Sequence, residues 1–560
     1  MEWTPSSIVR WLFDSSSGPA DRFLCRWIFL RALGAIYFSA FFSLVFQIRG
    51  LVGPKGILPA AEYLKNIADQ VGYARYWYAP SLLWFSSGSH ALMALCWVGL
   101  AAAVLVVFNI WPRGMLAICF VCFLSFVSAA GDFSGYQSDG MLLEAGFLSL
   151  FFAPTGLRPR FGVTRVPVRA AFLLLLWEWF RIYFESGVAK IMGGDPEWRN
   201  FTALDEYYQN GPLPTWIGWY VQHFPHWFHA STAFFTLALE LGLIWTTFFP
   251  RWVRIALFFV VTPWQIGIIL TANYTFLNYL VLMLGFLLLD DRFLMPFVPA
   301  KWKKPLLDRT TAAAAQPTAL GADALSILDA SSISSSNEPA AKNDSLRAKW
   351  EKLRSALSPF RISLVAFFMI WIFYATTVQM VWMVSAVPFP TTPVSLLDPF
   401  RIANRYGLFA VMTRGRYDIE FQGSNDGKTW IAYPFRHKPQ DVDKAPRIYA
   451  PYQPRFDWNL WFASLGEWRD NPLVLRTEHR LLSNDPDVLA LFAGNPFPQA
   501  PPRQVRAVIW QYWFTSMAEK RQTGAWWRRQ YIGLYAPAIE LEPGGGIGVT
   551  EWPAQLPPHE

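Results

Sequence analysis

The sequence predicts a polytopic α-helical membrane bundle of about nine spans, followed by a predominantly β, sandwich-like extracytoplasmic domain. Three observations predict it. Hydrophobic residues make up 53% of the 560-residue chain against 16% charged, too apolar a balance for one aqueous core. Aromatics reach 17%, with 29 Trp and 47 Phe, as in helices and interfaces that face a bilayer. After Asp398 the long apolar runs end, and RYDIEFQGSNDGKTWIAYPF alternates with period two across an Asn425-Asp426-Gly427 turn, a hairpin signal.

The helical part comes first. A membrane helix needs about 17–25 apolar residues. Such stretches fall near 26–47, 89–110, 114–131, 134–153, 170–190, 231–249, 253–272, 274–290 and 362–387, and Asp139 and Glu144 interrupt the fourth. An odd count puts the termini on opposite sides, and loop charge orients them. Loop 154–169 holds Arg158, Arg160, Arg165 and Arg169 without an acid, and 250–254 holds Arg251 and Arg254. The opposite face receives Asp132, Asp139, Asp195, Glu197, Asp205 and Glu206. Loop 48–80 dissents with Arg49, Lys55, Lys65 and Arg75. The balance places the N-terminus in the cytoplasm and the C-terminal domain outside it.

The organisation expected is therefore a cytoplasmic segment 1–25, a bundle 26–300 of about eight spans, and a basic, Ala/Ser-rich cytoplasmic linker 301–361. A last span 362–387 then leads to the β-rich extracytoplasmic domain 398–542 and a Pro-rich tail 543–560 without structure. Within the β-rich domain, VRAVIWQYWFT and WWRRQYIGLYAP read as strands, with short helices near 456–466 and 486–493. Its S-N-D-G-x-x-W turn is similar to one found in discoidin-like β-sandwiches.

Several function classes drop out. The net charge of +8 could suit nucleic acid, but the basic residues lie mainly between apolar stretches, so no nucleic-acid partner is expected. The partner is the lipid bilayer. Cys25, Cys96, Cys119 and Cys122 all lie in or beside apolar segments, so Cys119 and Cys122 read as small apolar packers rather than a redox pair. No Walker A, G-x-S-x-G or Gly-rich dinucleotide motif stands in a suitable context, and no cofactor is expected.

Charged groups inside apolar helices are expensive and mark functional candidates. Glu178, Arg181 and Glu185 share one helical face, so Arg181 can pair with both carboxylates. Glu144, Lys190 and Glu240 lack local partners and are expected to face the bundle interior. If the protein is an enzyme, Glu144, Arg181, Glu185, Lys190 and Glu240 are its acid–base candidates. His223, His226 and His229 are weak metal candidates, since steps of three carry them round a helix. In the C-terminal domain Trp458, Trp461, Trp510, Trp513, Trp526 and Trp527 form either a core or an apolar platform for a client protein.

The stretches YQSDGMLLEAGFL (136–148), ESGVAKIMGGDPEWRNFTALDEYYQNGPLPTWIGWY (185–220), ANYTFLNYL (272–280) and NRYGLFAVMTRGRYDIEFQGSNDGKTW with PYQPRFDWNLWFASL (404–465) resemble the lipase maturation factor family. A more distant likeness, around Gly187, Lys190 and Trp198, is to the transmembrane domain of vitamin K-dependent gamma-carboxylases. The first resemblance implies a membrane factor that helps secreted lipase-type hydrolases mature, with clients bound by the C-terminal domain. The alternatives are an integral membrane enzyme built on the buried charges and, behind it, a transporter. Ala/Ser linker composition looks bacterial, which implies the inner membrane; a eukaryotic member would sit in the ER membrane.

Overall fold

The computed structural model of the protein describes residues 4–14, 18–19, 21–162, 166–300, 302–303, 341–542 and 544–554. Every expected apolar stretch is helical: α1 (Phe23–Val45), α2 (Ser89–Val107), α3 (Pro112–Val127), α4 (Gln137–Phe152), α5 (Arg169–Met192), α6 (His226–Leu241), α7 (Arg251–Thr271), α8 (Leu277–Gly285) and α9 (Ala341–Trp382). Successive helices from α1 to α5 pack on one another, and α8 closes the bundle against α1 and α5. Length and composition suffice to cross a membrane for five described helices: Phe23–Val45, Ser89–Val107, His226–Phe248, Arg251–Thr271 and Pro359–Trp382. The count of nine spans is not reached, because α3 and the helix through Leu288 are short and α4 and α5 carry buried charges.

Two boundaries differ from expectation. The last helix starts at Ala341 rather than near 362, since KNDSLRAKWEKLRSAL is rich in helix formers and Pro first interrupts it at Pro359. Most of the expected linker, 304–340, lies outside the described residues. Within the expected tail, Ile547–Glu551 forms a strand because its backbone pairs with Ala538–Leu541.

The C-terminal domain is one six-stranded antiparallel sheet: β1 (Arg416–Ser424), β2 (Ile431–Ala432), β3 (Gln504–Phe514), β4 (Trp527–Leu534), β5 (Ala538–Leu541) and β6 (Ile547–Glu551). β1 pairs with β3 along its whole length, from Arg416 opposite Tyr512 to Ser424 opposite Gln504. The far edge of β3 carries β4 and β5. At the expected turn Gly427 takes φ +69°, and Asp426 accepts from the amides of Thr429 (2.7 Å) and Lys428 (2.8 Å). Those donors hold the Asp426 carboxyl down at about 2.

The sheet is not half of a sandwich. Tyr417, Ile419 and Phe421, with Val505, Ala507 and Ile509, face two helices, α10 (Arg455–Ala463) and α11 (Pro472–Leu482). The opposite face of β1 is polar yet buried, and ion pairs satisfy it instead of a second sheet. Lys438 reaches Asp418 at 3.1 Å, Arg416 reaches it at 2.8 Å, and Arg529 reaches Glu420 at 3.1 Å. A loop and the edge strand β4 supply the cover.

One group works against this domain. Glu478 on α11 is buried with no charged partner among the described residues. Burial pushes its carboxyl well above the usual range. A carboxyl whose folded pKa is raised favours the fold below its unfolded value near 4.3, and that contribution is lost as pH rises through the folded pKa. Glu478→Gln is therefore expected to raise stability at pH 8 by roughly 1–3 kcal/mol, the range for a buried polar group left without a partner. It should also flatten the decline in melting temperature above pH 5. Melting curves of both chains across that range check this, and parallel curves would count against it.

Candidate functional site

The buried charges converge on a single place. After α9 the chain returns as an irregular strip, 404–412, laid along α4 and the second half of α5. Irregular backbone packed against helices must find polar partners, because no ladder supplies them. Side chains of α4 and α5 do so residue by residue. Glu144 Oε2 accepts from the Asn404 amide (3.0 Å), from Asn404 Nδ2 (3.0 Å) and from the Tyr406 hydroxyl (2.8 Å). Glu185 Oε2 accepts from the Tyr406 amide at 2.6 Å. Ser186 Oγ accepts from the Leu408 amide at 3.2 Å, and Asp195 Oδ2 from that of Met412 at 2.6 Å.

Cations bind the carbonyls of the same strip. Arg181 donates to Asn404 O at 2.6 Å while it pairs with Glu144 and, at 3.8 Å, with Glu185. Lys190 donates to Leu408 O at 3.0 Å and to both oxygens of Glu240, at 3.0 and 2.8 Å. Trp198 Nε1 reaches Phe409 O at 2.9 Å. Arg181, Glu185, Ser186 and Lys190 succeed one another along α5 and each meets the strip, which makes the second half of that helix its template. The expected pairing of Arg181 with Glu178 does not form. Arg181 turns toward Glu144 and Asn404 instead, and Glu178 has no ion pair within 4 Å among the described residues.

The C-terminal domain docks through a second set. Arg455, at the start of α10, meets Asp139 of α4 in a fully buried two-pronged ion pair of 2.7 and 2.8 Å. Arg455 Nη1 also donates to Phe133 O at 2.6 Å, and its backbone amide donates to Gln47 of the bundle at 2.8 Å. Asn273, between α7 and α8, donates to Leu213 O (3.0 Å) and Arg447 O (2.8 Å). It accepts from the amides of Tyr449 (2.7 Å) and Ala450 (3.0 Å). Arg416 caps the carbonyls of Gln209, Gly211 and Pro212. Bundle and domain are thus joined by a polar seam whose central side chains, Asp139, Asn273, Arg416 and Arg455, are buried.

Some predicted site residues fall elsewhere. Trp458 and Trp461 are 8% exposed because they face the bundle, where Trp461 Nε1 donates to Asn210 O at 3.0 Å and Trp458 packs on Tyr136. Trp527 is 2% exposed beneath Arg416. Those three cannot form a client platform. Trp510, Trp513 and Trp526 remain half-buried beside Arg529, Arg528 and Lys520. The histidines do not converge either. His223 contacts the carbonyls of Trp219 and Thr515, His226 contacts Asp205, and His229 is buried against Tyr208. Among the described residues no group of His, Cys, Asp or Glu could hold a metal ion. All four cysteines are free and buried.

Asn404, Tyr406, Arg455 and Asn273 escaped the reading of single residues, for want of charge or of an apolar context. The signal was there in the polar stretches themselves, because 136–148, 185–220, 272–280 and 404–465 supply nearly every partner in the seam.

Known proteins match along the same lines. The family model described as lipase maturation factor transmembrane domain matches residues 24–296, and the one described as lipase maturation factor C-terminal domain matches 402–537. A Gallus gallus protein named lipase maturation factor 2 is 30% identical, over 92% of this chain and 81% of its own length. A Mus musculus lipase maturation factor 1 is 28% identical over 100% of this chain and 95% of its own. The Homo sapiens lipase maturation factor 2 is 29% identical over 92% and 83%. No solved structure matches the chain.

Proposed function

The chain belongs to the lipase maturation factor family, and from that premise we propose that it is a multi-pass membrane factor for the maturation of secreted lipase-type hydrolases. In this reading the N-terminus lies in the cytoplasm, and the C-terminal domain holds partly folded clients on the far side. Basic residues support that orientation, since Arg26, Arg113 and Arg251 sit at the end of the bundle opposite the seam. One observation carries the client reading. Once the seam is closed, Trp510, Trp513 and Trp526 are still partly open, each beside a cation, and Tyr531, 46% exposed, packs on Trp510. Rigid aromatics flanked by guanidinium groups, as Trp510 and Trp513 are, have the composition of binding hot spots.

The enzyme reading loses support from the same geometry. Glu144, Arg181, Glu185, Lys190 and Glu240 are all engaged by one another or by the 404–412 strip. Acid–base chemistry needs a group that reaches a reacting atom.

Co-expression of the full chain with a secreted lipase tests the proposal. Trp513→Ala combined with Trp526→Ala is expected to cut the lipase retained on the purified membrane protein by roughly tenfold or more, as hot-spot truncations do, and to lower the yield of active enzyme. Unchanged capture by a folded double variant would remove the C-terminal sheet as the client site.

A further inference from the structure

Beneath the seam, α5, α6, α7 and α8 leave a cavity of about 380 Å³, within the ~300–1,000 Å³ range of ligand pockets. Ile182, Phe228, Trp264, Ile268 and Val281 give it apolar walls, and Tyr207, Tyr208 and Phe409 roof it on the side of the C-terminal domain. Pro263 interrupts α7, and Gly267 follows one turn later. Both residues line the cavity and both are exposed, so it opens along α7. A side chain at Gly267 would meet nothing within 4 Å of its Cβ. Only 22% of the apolar window of α7 is buried in the protein, so the opening gives onto a face that a bilayer would cover.

The polar groups of the cavity select what can enter. Lys190 directs its donors to Glu240 and to Leu408 O, so the pair is neutral and offers no free cation. A relay runs along the other wall. The Tyr183 hydroxyl donates to Gln265 Oε1 at 3.1 Å, and Gln265 Nε2 donates to Asn278 Oδ1 at 3.2 Å. Asn278 is 5% exposed, and its Nδ2 has no partner among the described residues. The relay therefore ends on a buried donor that calls for an uncharged acceptor. An ionised headgroup would enter with no counter-charge to meet it.

We infer that this cavity is a lipid site, taking one acyl chain of a bilayer lipid and presenting Asn278 Nδ2 to its ester carbonyl. This is independent of which client the protein handles. A neutral, ester-linked lipid such as a diacylglycerol fits; a free fatty acid, with an ionised carboxylate, does not.

The test uses the full chain in lipid nanodiscs containing a diacylglycerol with a diazirine in mid-chain, followed by illumination and peptide mapping. Label is expected on 228–240 and 263–281. Gly267→Trp, which fills the opening, should reduce it by roughly tenfold, the loss that follows from about 1.4 kcal/mol of binding. Ile266→Trp, which points away from the cavity, should leave it unchanged. Thr232→Phe narrows the cavity from α6 and should act as Gly267→Trp does, so the test survives poor accumulation of either variant. The inference is overturned if label spreads evenly over the exposed Trp252, Phe259 and Phe367 and neither filling variant reduces it. It is equally overturned if an unlabelled free fatty acid displaces the probe as well as unlabelled diacylglycerol does.

Discussion

Arg181→Leu is expected to destabilise the protein by about 3–5 kcal/mol, the range for removing one partner of a buried ion pair. Its guanidinium is fully buried between Glu144 and Glu185 and also holds the carbonyl of Asn404. Without it two carboxylates face each other inside the bundle with no counter-charge. The strip 404–412 then loses its cation and meets repulsion where Glu144 and Glu185 receive its amides. Proteolysis should find this segment first, before any general unfolding of the helices. A variant that melts within about 1 kcal/mol of wild type would show that the buried network relaxes far more readily than a packed interior does.

The second large effect lies at the docking contact. Arg455→Met leaves Asp139 ionised and buried in α4, and should cost about 3–5 kcal/mol for the same reason. What fails first here is the attachment of the C-terminal domain rather than the bundle, since Arg455 opens α10 and α10 packs on β1. Arg455→Met with Asp139→Leu should recover most of the loss, because an apolar pair of similar volume removes the uncompensated charge. The comparison that decides is the melting temperature of the double variant against each single one. Losses that simply add would mean the two residues do not act on each other.

Much of this architecture is legible in the sequence, for reasons tied to particular residues. Bilayer thickness sets a length that apolar runs must reach, so the helices announce themselves. The cost of burying charge made Glu144, Arg181, Glu185, Lys190 and Glu240 stand out. Their partners were another matter. Asn404 and Tyr406 follow Arg181 by more than two hundred residues, in a stretch with no periodicity, and Arg455 stands just before the short helix expected near 456–466, with nothing local to mark its partner. Local spacing favoured Glu178 as a partner of Arg181, and a contact from another helix overrode it. Arg416, Asp418, Glu420 and Gln422 alternate as a solvent-facing edge would, yet a loop and β4 bury them. That same burial replaced the expected second sheet. Trp458 and Trp461 stand three apart on one helix, and sequence alone could not say whether that face met a client or the bundle. The helix α11 was missed because Arg476, Glu478 and Arg480 break its apolar pattern, although Pro472 at its first position marks the start.

In the function proposed above, the buried charges compensate one another and the backbone of the 404–412 strip, and perform no chemistry. Lys190 and Glu240 test this most directly, since they pair closely with each other and replacing both with methionine leaves no charge uncompensated. The measurement is the yield of active secreted lipase from cells carrying the Lys190→Met, Glu240→Met chain, normalised to its amount in the membrane. Replacement of a buried pair by apolar groups of similar volume is often neutral or stabilising by about 1–4 kcal/mol, so a yield near that of wild type is expected. Normal accumulation with the lipase yield abolished would contradict the account and give the pair a catalytic role.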